Sequence, residues 1–209
     1  MYRAPSNYNS YFYTNNDELE KEITDNGWIY KKIDFNLSDC IIISSKQAKY
    51  IKFLQMLKND DHAYLKTYDR ILYIDHKFFL QDNHIDSLLK LNTKPILIRI
   101  TPRCKSNVWQ EFDARGQMRY NIFESQAMKY VKDKLLVGYK ENVMICNTGL
   151  ILYDANSVEV LNLVNEIYDD LTLVGTPECQ IIWAMVSQKY ENIIYKINFN
   201  DVPILWMCP

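Results

Sequence analysis

The side chain best placed for ionic chemistry is Asp75, which ends the apolar run Arg70-Ile71-Leu72-Tyr73-Ile74 and is followed at once by His76 and Lys77. A carboxylate at a strand end can hold Mg²⁺ or Mn²⁺, which needs only one or two protein carboxylates and keeps positions open for phosphate oxygens. His76 suits Mn²⁺ better than Mg²⁺, or else contacts a phosphate itself. Asp is also an ordinary residue where a strand turns, so spacing alone leaves both readings open. Arg70, at the head of the same run, is a further candidate cation for a nucleotide.

Three other segments have suitable chemistry. Lys46, Lys49 and Lys52 recur every three residues, along one side of a helix. Lys49 and Lys52 can meet a diphosphate as point charges, although a solvated helical face has the same pattern. Tyr13-Thr14-Asn15 offers a ring for a base to stack on and hydrogen bonds for a uracil edge. Asn147-Thr148-Gly149 interrupts an apolar run, as Gly does at a bulge or a close approach, and its Asn and Thr would face a sugar. Glu178 follows Pro177 at a helix start, where both residues also belong on capping grounds.

These residues must be positioned by strands and helices that alternate along the chain. Short β-rich runs predict strands over residues 11–14, 28–33, 70–74, 95–100, 143–153 and 193–197. Helical patterns fall over 17–26, 46–58, 86–91, 123–135, 157–171 and 178–190, with Val160, Leu161, Val164, Ile167 and Tyr168 forming one apolar stripe. Such alternation predicts an α/β domain with a mostly parallel, helix-covered sheet. Ligands of such sheets bind beyond the carboxyl ends of the strands, where Thr14, Asp75, Thr101 and Asn147 stand.

Composition narrows the class. The 209 residues fit one domain, spanning 1–209, and are 48% hydrophobic, enough for a core without disulfide staples. A formal charge of −2 argues against a nucleic-acid partner. Five scattered cysteines with no CxxC pair argue against thiolate-bound zinc and for a reducing, cytoplasmic setting. Neither a signal peptide nor a run near the roughly 20 apolar residues of a membrane span is visible. The apolar end, residues 202–209, either docks on the domain or leads into a longer polypeptide.

Taken in order, the segments resemble the GT-A class of glycosyltransferases, especially its glycogenin-like and galactosyltransferase-like groups. The resemblance runs from residue 11 to about residue 190. It comprises the strand ending Tyr13-Thr14-Asn15, the basic helix, Tyr68-Asp69-x-x-Leu72-Tyr73-Ile74-Asp75, Asn147-Thr148-Gly149-Leu150-Ile151-Leu152-Tyr153 and the helix start Glu178-Cys179-Gln180. It is also similar to glycosyltransferases that large chlorella viruses encode for capsid-protein glycans, which would put it in a host cytoplasm. The resemblance implies a Rossmann-like sheet of GT-A type and a UDP-sugar donor bound by Tyr13, Thr14, Asn15, Lys49, Lys52, Arg70 and His76. It further implies Mn²⁺ (or Mg²⁺) on Asp75 and His76, and a glycan or glycoprotein acceptor. Glu178, Asn147 and Thr148 would act around the anomeric carbon, with retention of configuration. Two departures stand out. The class motif is Asp-x-Asp, and here Lys77 replaces the second Asp; Cys179 stands where an Asp usually precedes Gln180. Two rivals remain: a UDP-sugar-binding module with weak turnover, favoured by Lys77, and a nucleotidyl- or phosphotransferase. The latter would want a Gly-rich loop after the first strand, and residues 14–18 contain no Gly.

Overall fold

The computed structural model describes residues 1–33, 38–103, 105–112, 118–198, 200–201 and 205–206. Among them the order is β1 (Tyr11–Thr14), α1 (Glu20–Asp25), β2 (Ile29–Lys32), α2 (Ile41–Gln47), α3 (Lys49–Lys52), β3 (Arg70–Ile74), β4 (Phe78–Phe79) and α4 (Asp82–Leu91). There follow β5 (Ile96–Ile100), α5 (Met118–Leu136), β6 (Cys146–Asp154), α6 (Val158–Val174), α7 (Cys179–Val186), β7 (Ile194–Ile197) and β8 (Leu205–Trp206).

The central sheet runs β3-β6-β5-β7. Its middle strand, β6, is buried from Cys146 to Tyr153, because both faces of its apolar run find cover. Ile151 and Tyr153 point into the larger core, formed with α5, α6 and α7, while Leu150 and Leu152 point into a smaller one with Phe78, Ile85 and Leu88. This is the period-two alternation of a strand between two layers. Helix α7 is buried from Ile181 to Val186, as its apolar residues on every side require. Helix α6 starts on a Ser157 cap, ends on Gly175 at φ +76°, and packs Val160, Leu163, Val164 and Ile167 inward. No helix among the described residues is long and apolar enough to cross a membrane.

Two expectations need correction. The sheet is mixed and not mostly parallel: β6 pairs antiparallel with both β3 and β5, and only β5 with β7 is parallel. A doubly buried apolar strand reads the same in either direction, so the run itself carries no sign of orientation. Strands β1 and β2 form a separate parallel pair. The helix expected over 46–58 is broken: α2 ends at Gln47, α3 at Lys52, and Leu54 takes a left-handed φ of +53° before a 3₁₀ turn over Gln55–Lys58. Leu54 and its neighbours Phe53, Met56 and Leu57 are all buried, so the turn is held by packing. Of the apolar C-terminal segment, Leu205–Trp206 pairs with β4; its remainder, with Cys104 and Cys208, lies outside the described residues.

Candidate functional site

Four segments converge where β3 ends. The first is the Asp75 turn, whose amide donates to the Gly149 carbonyl at 2.8 Å, continuing the β3–β6 ladder one step past the strand. The second is Asn147-Thr148-Gly149, where β6 bulges: its register against β5 shifts between Ile98/Ile151 and Arg99/Asn147. The bulge is closed by Asn147, whose Oδ1 accepts from the Gly149 amide at 2.9 Å. A Cβ at Gly149 would lie 2.5 Å from the Phe78 ring and 2.8 Å from Asp75 Oδ2, so only glycine lets the carboxylate lie this close to the bulge. Helix α3 is the third segment and the start of α7 the fourth.

The ionic centre is the pair between Lys52 Nζ and Asp75 Oδ1, 3.1 Å apart. Lys52 is 3% exposed, its ammonium lying 5.1 Å from the Tyr73 ring and 3.9 Å from Cys179 Sγ. The Tyr153 hydroxyl donates to the Lys52 carbonyl at 3.0 Å and so ties α3 to β6. Asp75 Oδ1 also accepts from the Tyr73 hydroxyl at 2.7 Å, and Lys77 Nζ stands 3.7 Å from Oδ2. Burial acts to raise the Asp75 pKa, but the Lys52 charge, the hydrogen bonds from Tyr73 and Lys52 and the nearby Lys49 outweigh it and hold it at about 2. Burial likewise acts to lower the Lys52 pKa; the Cys179 sulfur and Asp75 overcome it, so the ammonium is held charged. Lys49 is pulled the other way: desolvation lowers its pKa, opposed by Cys179, Asp75 and Glu178.

A cavity of about 570 Å³ lies against this centre, between the β1–β2 pair and β3. Tyr11, Tyr13, Tyr68 and Tyr73 line it, with Arg70 and His76 among its polar walls and Ile51 from α3. Tyr73 joins the two parts, because it lines the cavity while its hydroxyl holds Asp75.

The expected residues therefore divide. Lys49, Lys52, Asp75, Asn147, Thr148 and Glu178 are brought together. Tyr13 and His76 border the adjoining cavity, the former with its hydroxyl 2.7 Å from that of Tyr64. Thr14 turns its hydroxyl to the Asn16 amide, and Asn15 is exposed at the strand end. Arg70 lines the cavity at its far end: it begins β3, about 16 Å of extended chain from Asp75, and pairs with Asp154 at 2.7 Å. Asn147 and Thr148, expected to face a sugar, are buried; Thr148 is 2% exposed and its hydroxyl lies 3.1 Å from Cys179 Sγ. Their part is to shape the bulge and hold the α7 start, whose Glu178 is buried as well.

Sequence reasoning missed Tyr73, although it stands two residues before Asp75 and so shares a face with it in extended chain. It also missed Arg99, buried opposite Asn147 with its guanidinium 5.2 Å from the Phe78 ring centre and its pKa lowered to about 10 by desolvation. Gln180, the last residue of the helix-start motif, donates to buried Glu111, which also binds Lys105 at 2.8 Å.

The donor set does not suit a resident divalent cation. The two Asp75 oxygens already face Lys52 and Lys77, and His76 borders a cavity whose walls do not include Asp75.

No known family profile matches the sequence, and no curated protein is significantly similar to it. Among solved structures, mouse xyloside xylosyltransferase 1 in its apo form is similar over 86% of this chain and 67% of its own, with 12% identity and a TM-score of 0.40.

Proposed function

We propose that this chain is a glycosyltransferase that takes its sugar from a nucleotide donor, with UDP the nucleotide that the GT-A resemblance implies. The observation that supports it best is the junction at Tyr73, where a tyrosine-lined cavity meets a cationic cluster of Lys49, Lys52 and Lys77 around one carboxylate. In this reading the uridine stacks among the cavity rings near Tyr13, and the diphosphate lies toward His76, Lys77 and Lys49. An acceptor hydroxyl approaches the anomeric carbon on the face that UDP leaves; the new C–O bond forms as the bond to the phosphate oxygen breaks, and the hydroxyl proton passes to that departing phosphate oxygen. The lysines stabilise the charge that develops on the leaving UDP, in a site partly shielded from water. Asp75 and the Gly149 bulge hold the lysines in place. Retention of configuration and a glycan or glycoprotein acceptor follow from the resemblance and form part of the proposal.

A second reading, a UDP-sugar-binding module with little turnover, draws on the burial of Asn147, Thr148 and Glu178. One pair of measurements separates the two. Calorimetric titration with UDP, GDP and CMP should show selective UDP binding, and UDP-sugars should release UDP slowly to water in the absence of an acceptor. Binding without release would favour the module; binding of none of the three nucleotides would end both readings.

A further inference from the structure

We propose that the Lys52 ammonium fills the cation position of Asp75, so that this chain binds its nucleotide donor without a divalent metal. The inference rests on the proposed donor site and concerns what balances charge there. Lys52 is 3% exposed and its Nζ is 3.1 Å from Asp75 Oδ1. An Mn²⁺ ion at that oxygen would meet the ammonium at close range, in a place where the lysine side chain is only 3% exposed to water. The Tyr153 hydroxyl pins the Lys52 carbonyl, and the Tyr73 ring lies 5.1 Å from Nζ. On one side of Oδ2 the bulge stands close, since a single added carbon on Gly149 would fall 2.8 Å from that oxygen. A hard divalent cation wants about six oxygen ligands in a near-octahedral shell, and this carboxylate has cationic nitrogen on both sides. Lys77, where the resembled class carries its second metal carboxylate, stands 3.7 Å from Oδ2 and adds a second positive charge. A fixed ammonium beside one carboxylate has the same net charge, zero, as a divalent metal on two carboxylates, and Lys77 at its edge adds a positive charge for a diphosphate.

Two titrations of the full chain test this. Electron paramagnetic resonance of Mn²⁺ added alone should show the free aqua ion undiminished up to about 1 mM. UDP titrated in EDTA and then in Mn²⁺ should bind with affinities within about threefold of each other. Tight Mn²⁺ binding by the wild-type chain, or UDP binding seen only with Mn²⁺, would overturn the inference while leaving the donor site standing. No UDP binding in either medium would remove both. Lys52→Met should lose about tenfold or more in UDP affinity in EDTA; unchanged affinity in a folded variant would also count against the role of Lys52. The wild-type titrations decide the matter even if that variant does not fold.

Discussion

The central sheet and the β1–β2 pair are held in different ways. Strand β6 is hydrogen-bonded on both edges and buried on both faces, so a change along it disturbs two cores at once. Among the described residues the β1–β2 pair makes no ladder to the central sheet. It meets the rest through tyrosine hydroxyls, Tyr11 to Tyr68 at 2.8 Å and Tyr13 to Tyr64 at 2.7 Å, and through ring contacts. The cavity lies along that seam. A rigid strand fixes the charged cluster, and a separately held layer covers the space beside it, the side drawn from the less protected parts of a fold.

Three changes probe the contrast, in decreasing order of effect. Gly149→Ala acts on the rigid side. Its new methyl would fall 2.5 Å from Phe78 and 2.8 Å from Asp75 Oδ2, and overpacking of this kind costs roughly 1–3 kcal/mol. Urea unfolding should show a loss near the top of that range; a shift of a few tenths would mean that the bulge yields easily.

Acid titration comes next. The Asp75 pKa is lowered from 3.8 to about 2 in the folded chain. The unfolded state therefore binds the proton more tightly, and the stabilisation is present in full above about pH 4 and disappears as pH falls through about 2. It amounts to about 2 kcal/mol. The difference in unfolding free energy between wild type and Asp75→Asn should shrink across that window, and a difference flat in pH would contradict the assigned pairing.

Tyr13→Phe acts on the loose side and removes one hydroxyl contact with Tyr64, worth about 1 kcal/mol or less. Amide exchange should quicken in β1 and β2 with β5, β6 and β7 unchanged. Equal quickening in both layers would show that they open together.

Much of this arrangement could be read from the chain. The bounds of β1 and β3 follow from short apolar runs closed by polar residues, and the Gly149 bulge from a glycine inside an apolar strand. Strand direction could not be read, because β6 is apolar on both faces. Nor could the Lys52–Asp75 pair, whose burial depends on the chain breaking at Leu54 and folding α3 against β6. A lysine pattern of period three is the same whether it faces water or a buried carboxylate. Arg70 is a different case: the rise of a strand separates its two ends by most of its length, so the distance of Arg70 from Asp75 follows from their spacing in the chain alone.

The most direct test of the central claim is amide hydrogen exchange of the whole chain with and without saturating UDP. If the seam is the donor site, UDP should slow exchange in β1 and in residues 75–78, on both sides of the cavity, and leave β5 and β7 unchanged. UDP that binds but protects neither segment would place the donor elsewhere and contradict the account.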